Sequence, residues 1–217
     1  VPTTGASSSF RDRRRDEAHT WQVDRASWPT RRGKGVVAAL AGYPRCVGRT
    51  ADLRLRRLMR IQFGRLSDID VAEIIALHTH PLVRRHMPLS DDDFREAECR
   101  EWVQEKERQW QEHGYGPWAF IIDGEFAGWG GLQWENGDAD LALVLHPHHW
   151  GAGKGIYDEI IRRAFGEMGL RSVTILLPPS RTRVRPILRL GFHLDGEVEL
   201  SGQRFIRYRL HNRGPDA

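Results

Sequence analysis

The sequence predicts a single mixed α+β domain, a sheet with helices packed on it, and three observations carry that expectation. Short β-type runs alternate with amphipathic helical runs from about residue 59 onward. Glycine-bearing turns join neighbouring β-type runs. One such run leads through a glycine-dense loop straight into an amphipathic helix.

Residues 59–66 (MRIQFGRL) read as the opening strand. Ser67 followed by Asp70 makes a weak capping box for a helix through Val71, Ile74, Ile75 and His78. Ser90 with Asp91, Asp92 and Asp93 sets a cap and acids before a long helix carrying Phe94, Ala97, Trp102, Val103 and Trp110, which Gly114 stops. Residues 118–123 and 126–134 are strands separated by Gly124-Glu125, which with Asp123 supplies a hairpin turn. Residues 139–145 form a third strand of this group. An amphipathic helix follows, with Ile156, Ile160, Ile161, Ala164, Phe165 and Met168 on one face. A strand at 172–177, a short helix at 181–190 ended by Gly191, and strands at 193–200 and 205–210 joined at Ser201-Gly202 complete the order βααβββαβαββ.

With 217 residues, 40% apolar and 29% charged, the chain holds one ordinary soluble domain and a remainder. No run of about 18 consecutive apolar residues is present, so no membrane span is expected. Cys46 and Cys99 are too few for a disulfide scaffold or a cysteine zinc site, and the expected location is a reducing cytoplasm. The net charge of +4 is unevenly spread: residues 1–58 hold 13 basic and 5 acidic side chains, whereas the rest is mildly acidic. The domain itself is therefore not expected to bind nucleic acid.

Residues 1–58 show no helical or strand periodicity until about Val36 and read as a basic, disordered leader, with the domain at 59–217. Asp12, Asp16, Glu17 and Asp24 argue against a transit peptide. Because the first methionine is Met59, the upstream stretch is read as a mis-assigned start or added sequence, which an intact mass of the native protein tests.

The chemistry concentrates in LVLHPHHWGAGKGIYDE, residues 143–159. A strand, a glycine loop and a helix N-terminus together cradle an anion, because glycines let consecutive amides turn toward one point and the helix dipole adds partial positive charge. A nucleoside-triphosphate loop is disfavoured: His148 stands where its first glycine would be and Gly155 where its hydroxyl would be. A dinucleotide fold is disfavoured because G-x-G-x-G follows the fourth strand rather than the first.

WGAGKG after a strand ending in proline, followed by RPILRLGF, resembles the GNAT superfamily of acetyl-CoA-dependent N-acetyltransferases. HPLVRRHMP and GEFAGWGGLQ resemble its branch containing the ribosomal-protein alanine N-acetyltransferases, where Trp often opens the phosphate motif as Trp150 does. The likeness runs from about Arg60 to Leu210. It implies a central mixed, mostly antiparallel sheet with helices on both faces. It also implies a splayed fourth strand whose backbone at Leu143, Val144, Leu145 and His146 pairs with the pantetheine arm. The loop of Trp150, Gly151, Ala152, Gly153, Lys154, Gly155 and Ile156 would hold the pyrophosphate, without a metal. Loop lysines are usually solvated, so the backbone N–H of Lys154 is preferred to its ammonium as the contact.

Direct attack of an amine on the thioester needs a base and a donor for the leaving thiolate. The resemblance points to Asp140 as base, with Glu135 second; His146 is a third candidate by its titration range. For both carboxylates an exposed turn acid within ENGDAD is the competing reading on equal terms. The family's Asn and following Ser correspond to Ser180 and Arg183, a departure; Ser180 would cap the next helix, and Arg183 would meet coenzyme phosphates or solvent. Ile187 stands where many relatives carry a tyrosine acid, which leaves water, Ser180 or Tyr157 as proton donor. His146, His148 and His149 read as a strand-end cluster rather than a metal site. Of Trp102, Trp110, Trp118, Trp129 and Trp134, most have core spacing.

The expected acceptor is a small-molecule amine or a peptide N-terminus, met by a pocket built from residues 89–115 and the last hairpin, in a monomer or homodimer. The alternative is an acyl-CoA-binding sensor that has lost its chemistry.

Overall fold

The computed structural model describes residues 60–87 and 93–214. The leader and the expected start at Met59 lie outside the described residues, as does Ser90. Seven strands form one sheet in the order β1-β2-β3-β4-β5-β7-β6, antiparallel throughout except where β4 meets β5. The strands are β1 (Ile61–Gly64), β2 (Pro117–Ile122), β3 (Glu125–Glu135), β4 (Asp138–Leu145), β5 (Ser172–Leu177), β6 (His193–Leu200) and β7 (Gln203–His211). The helices are α1 (Val71–Thr79), α2 (Pro81–Arg84), α3 (Glu96–His113), α4 (Gly153–Arg162) and α5 (Arg185–Arg189). The expected mixed α+β architecture is present.

Local boundaries differ from expectation in four places, each for a traceable reason. Asp70, not Ser67, caps α1, its side chain accepting from the Ala72 amide at 2.8 Å, because residues Leu66–Asp68 are spent in a 3-10 turn. The short helix α2 was not anticipated; Pro81 sits at its first turn, where a missing N–H costs nothing. α3 begins at Glu96 behind an uncapped Arg95, and Phe94 packs into the core ahead of it. α5 starts at Arg185 rather than residue 181, so Ser180 does not cap it; Val184 is the N-cap residue and provides no side-chain bond.

Three two-residue turns set the hairpins. Asp123-Gly124, Asn136-Gly137 and Ser201-Gly202 all have positive φ at both positions, the mirror-image geometry that matches strand twist. The first turn thus lies one residue earlier than Gly124-Glu125.

The sheet buries both faces. Against one face α1 to α3 place Ile74, Leu77, Val83 and Trp102 onto Ala119, Trp129, Ala142 and Val144. Against the other, α4 and α5 place Ile156, Ile160 and Ile187 onto Phe120, Leu132, Leu141, Leu143 and Leu145. Trp129 is wholly buried, lies 4.8 Å from the Trp102 ring and donates its indole N–H to His78 Nε2 at 2.9 Å. Burial of one such side chain contributes about 3 kcal/mol. Among the five tryptophans, Trp102, Trp118 and Trp129 are buried and Trp110 is half-buried, as their spacing implied, whereas Trp134 is exposed and stacks on His113 at 5.1 Å.

Strand β3 presses unusually closely on β4. A Cβ on Gly128, whose φ is +146°, would stand 2.1 Å from the Val144 carbonyl oxygen, and one on Gly130 would stand 2.4 Å from that of Ala142. Backbone cannot yield as a side chain can. Gly128→Ala is expected to destabilise the domain by about 2 kcal/mol or more, read as a lower denaturant midpoint at unchanged slope.

Among the described residues, no helix is long and apolar enough to cross a membrane.

Candidate active site

Strand β4 is laddered to β3 along its whole length, from Glu135↔Asp138 to Gly128↔Leu145. Toward β5 it has a single pairing, Asp140↔Thr174. Beyond that point the ladder between the two parallel strands ends, and among the described residues the β5-side backbone groups of β4 between Leu141 and Leu145 have no sheet partner. The result is a V with its vertex at Asp140.

Asp140 is 4% exposed. Its carboxylate accepts from Thr174 Oγ1 at 3.3 Å and from the Leu176 amide, both on β5, so the acid staples the two strands where they part. Burial pushes its pKa well above the usual carboxylate range, helped by the negative charge of Glu135, and the two hydrogen bonds only partly oppose this. Glu135 is half-buried, and burial raises its pKa too, against the attraction of Lys106. Asp138, across from Glu135, is by contrast held by Arg209 at 2.7 Å and Arg207 at 3.0 Å. Two carboxyls whose pKa values burial raises therefore share one face of the sheet at the vertex.

At the open end the chain leaves β4 through His146 and a 3-10 turn, Pro147–Ala152, and enters α4 directly. Trp150, at the first position of the glycine motif, donates its indole N–H to the Leu145 carbonyl at 3.0 Å and so locks the strand exit. The Gly153 amide donates to the Trp150 carbonyl, which leaves the following first-turn amides of α4 as the natural anion donors. A Cβ on Gly151 would meet nothing within 4 Å, and one on Gly155 only Ile61 Cδ1 at 3.8 Å. That open space over the helix terminus leaves room for a pyrophosphate. The Lys154 ammonium is paired with Asp158 one turn on.

His146 accepts from the His148 amide through Nδ1 at 3.5 Å, with the His80 ring 5.1 Å away. Burial and the neighbouring histidines lower its pKa, so it is neutral at pH 7. Among the described residues no group of three His, Cys, Asp or Glu side chains is arranged to hold a metal ion.

The remaining sequence candidates scatter. Tyr157 points into the α4 core, where burial raises its pKa. Ser180 and Arg183 are exposed in the loop before α5, and Ile187 is fully buried. Residues not singled out from sequence do gather at the vertex: Thr174, Gln133 directly across from Asp140, and Lys106. Gln133 could have been found from the hairpin register, and Lys106 from its place one turn after Trp102 on the buried stripe of α3.

The model of the acetyltransferase (GNAT) domain family matches residues 60–193, which span the V, the glycine turn and α5. The chain belongs to the GNAT acetyltransferase family. It is an acetyl-CoA-dependent N-acetyltransferase. This GNAT acetyltransferase resembles solved structures at the level of fold. An acetyltransferase from Agrobacterium tumefaciens str. C58 is 19% identical with a TM-score of 0.57, over 70% of this chain and 91% of the other. A candidate ribosomal-protein-serine acetyltransferase from Vibrio cholerae is 18% identical with a TM-score of 0.53, over 70% and 94%. The Campylobacter jejuni N-acetyltransferase PseH, in complex with acetyl coenzyme A, is 14% identical with a TM-score of 0.50, over 70% and 99%. A search of curated proteins finds no match to the sequence.

Proposed function

We propose that the domain, read as residues 59–217, acetylates a primary amine by direct attack within a ternary complex, with Asp140 as the general base. One observation carries the reading: the single β4–β5 pairing ends at a buried acid whose pKa is raised, so the gap that admits a thioester terminates on a proton acceptor. The pantetheine arm would pair with the unladdered β4 edge at Leu143, Val144, Leu145 and His146. The pyrophosphate would rest between Trp150 and Ile156, on the amides of Lys154 and Gly155 above all. Asp140 takes one proton from the ammonium, the amine nitrogen bonds to the acetyl carbon, the C–S bond breaks, and the second proton shed by the nitrogen as the amide forms is balanced by the one the thiolate gains through solvent. Glu135, on the same face one cross-strand pair away, is the second candidate for the base. Tyr157 lies in the core beneath α4 and Ser180 in an exposed loop, which favours solvent as the thiolate's proton source.

The acceptor is a small amine or a peptide N-terminus; the Vibrio cholerae likeness supports the latter only as fold. A non-catalytic acyl-CoA sensor is the second reading, favoured by Ile187 at the position where many relatives place a tyrosine acid. Calorimetry with acetyl-CoA and thiol release with an amine panel separate the two. Binding with amine-dependent thiol release is expected; binding without release on any amine supports the sensor, and no binding removes both.

A further inference from the structure

The face of the sheet that carries Asp140 also carries buried polar groups without partners. The Gln133 side chain is wholly buried, and neither its Nε2 nor its Oε1 has a hydrogen-bond partner among the described residues. Trp102 leaves its indole N–H in the same state. Lys106, one turn along α3, is 1% exposed, with its Nζ 6.0 Å from the Trp102 ring. The one carboxylate within 4 Å of that ammonium among the described residues is Glu105, at 3.7 Å, beyond a hydrogen bond.

These groups lie in one layer. α3 and β3 run side by side: Trp102 packs on Trp129, and Gln109 accepts from the Trp134 amide at 3.1 Å, which sets Lys106 over the intervening stretch containing Gln133. Gln133 is the direct cross-strand partner of Asp140, so their Cβ atoms are about 5 Å apart. Among the described residues neither Glu135 nor Asp140 lies within 4 Å of that ammonium, and Asp140 is already held by Thr174 and the Leu176 amide. A buried ammonium beside an unpaired amide and an unpaired indole N–H calls for an anion rather than a second cation.

We propose that this layer binds the carboxylate of a free amino acid, through Lys106 Nζ and the Gln133 amide, and so presents the amino acid's α-amino group to Asp140. The proposal rests on the reading of Asp140 as the base and names the acceptor class for it. One carbon separates amine from carboxylate in such a substrate, which suits the single cross-strand step from Asp140 to Gln133. One ammonium proton passes to Asp140, the nitrogen gains the acetyl carbon, the C–S bond breaks, and the second proton the nitrogen sheds goes to solvent, from which the coenzyme thiolate takes one. Polyamines would bring positive charge against Lys106, and a peptide N-terminus would bring only a neutral carbonyl.

The test is titration calorimetry on the full chain loaded with coenzyme A, a dead-end complex that needs no turnover. Amino acids are compared with their decarboxylated amines, their dipeptides and spermidine. At least one amino acid is expected to bind about 10-fold or more tightly than its decarboxylated amine and its dipeptide. Lys106→Met should abolish that preference, and Gln133→Met should reduce it, both with acetyl-CoA affinity within about threefold of wild type. Equal or tighter binding of amines lacking the carboxylate, preference for dipeptides, a preference that survives Lys106→Met, or no amino-acid binding at millimolar concentration would each overturn it. Should Lys106→Met fail to fold, the wild-type comparison and Gln133→Met decide. Loss of acetyl-CoA binding by the wild type would instead refute the transferase reading itself.

Discussion

Asp140→Asn is expected to lower kcat by about 10²- to 10⁴-fold while acetyl-CoA affinity stays within a few-fold of wild type. The substitution is chosen because the carboxylate has two separable tasks. As a staple it accepts from Thr174 Oγ1 and the Leu176 amide, and an asparagine oxygen can still accept from both. As a base it must take a proton, which an amide cannot do. A structural role alone would leave turnover close to wild type. The pH profile adds a second reading: because burial raises the Asp140 pKa, the acidic limb of kcat/KM should lie above the ordinary carboxylate range, and the variant should lose that limb.

Stability should move the opposite way. A carboxyl whose folded pKa is raised binds more protons folded than unfolded, so its contribution favours the fold at low pH. That contribution is lost as pH rises from the unfolded value near 4 through the folded one. Asp140→Asn removes an ionisation the fold resists. Its Tm should match or exceed that of wild type at pH 8, and a lower Tm there would argue that the ionised staple stabilises the sheet.

Gly155→Val is expected to weaken acetyl-CoA binding by roughly 10- to 100-fold, the equivalent of one or more lost charge-assisted hydrogen bonds. A Cβ at Gly155 meets only the tip of Ile61, at ordinary contact distance, so the free protein tolerates the change. In a helix, replacing glycine also removes an entropic penalty. Affinity and stability should therefore separate, with Kd rising while Tm holds within a few degrees. A collapse of Tm alongside Kd would instead mean that this glycine serves packing. The contrast with Gly128 is instructive, since there the added Cβ meets a carbonyl oxygen in the free protein itself.

The sheet was legible from sequence because its strands are short apolar runs closed by turn pairs such as Asn136-Gly137, whose backbone preferences are local. The helix starts were less so. The 3-10 turn that consumes Ser67 and the late start of α5 depend on how the flanking segments pack, and no cap residue marks either. At the site, Asp140 and the glycine turn followed from the resemblance. Thr174 and Lys106 did not, because each acquires its meaning from a neighbour far along the chain: Thr174 from a strand pairing across a helix, Lys106 from α3 lying over β3. Ser180 misled for the same reason, since its expected capping role required a helix that begins five residues later.

The solitary pairing between β4 and β5 also bears on assembly. Strands β2 to β4 zip up through neighbouring turns and β6 to β7 through another, whereas β5 reaches β7 across α5 and β6, so each side of the sheet is laddered within itself. The two halves meet at one rung. An extended ligand seated along the β4 edge, as proposed for the pantetheine arm, would complete the join the polypeptide leaves open.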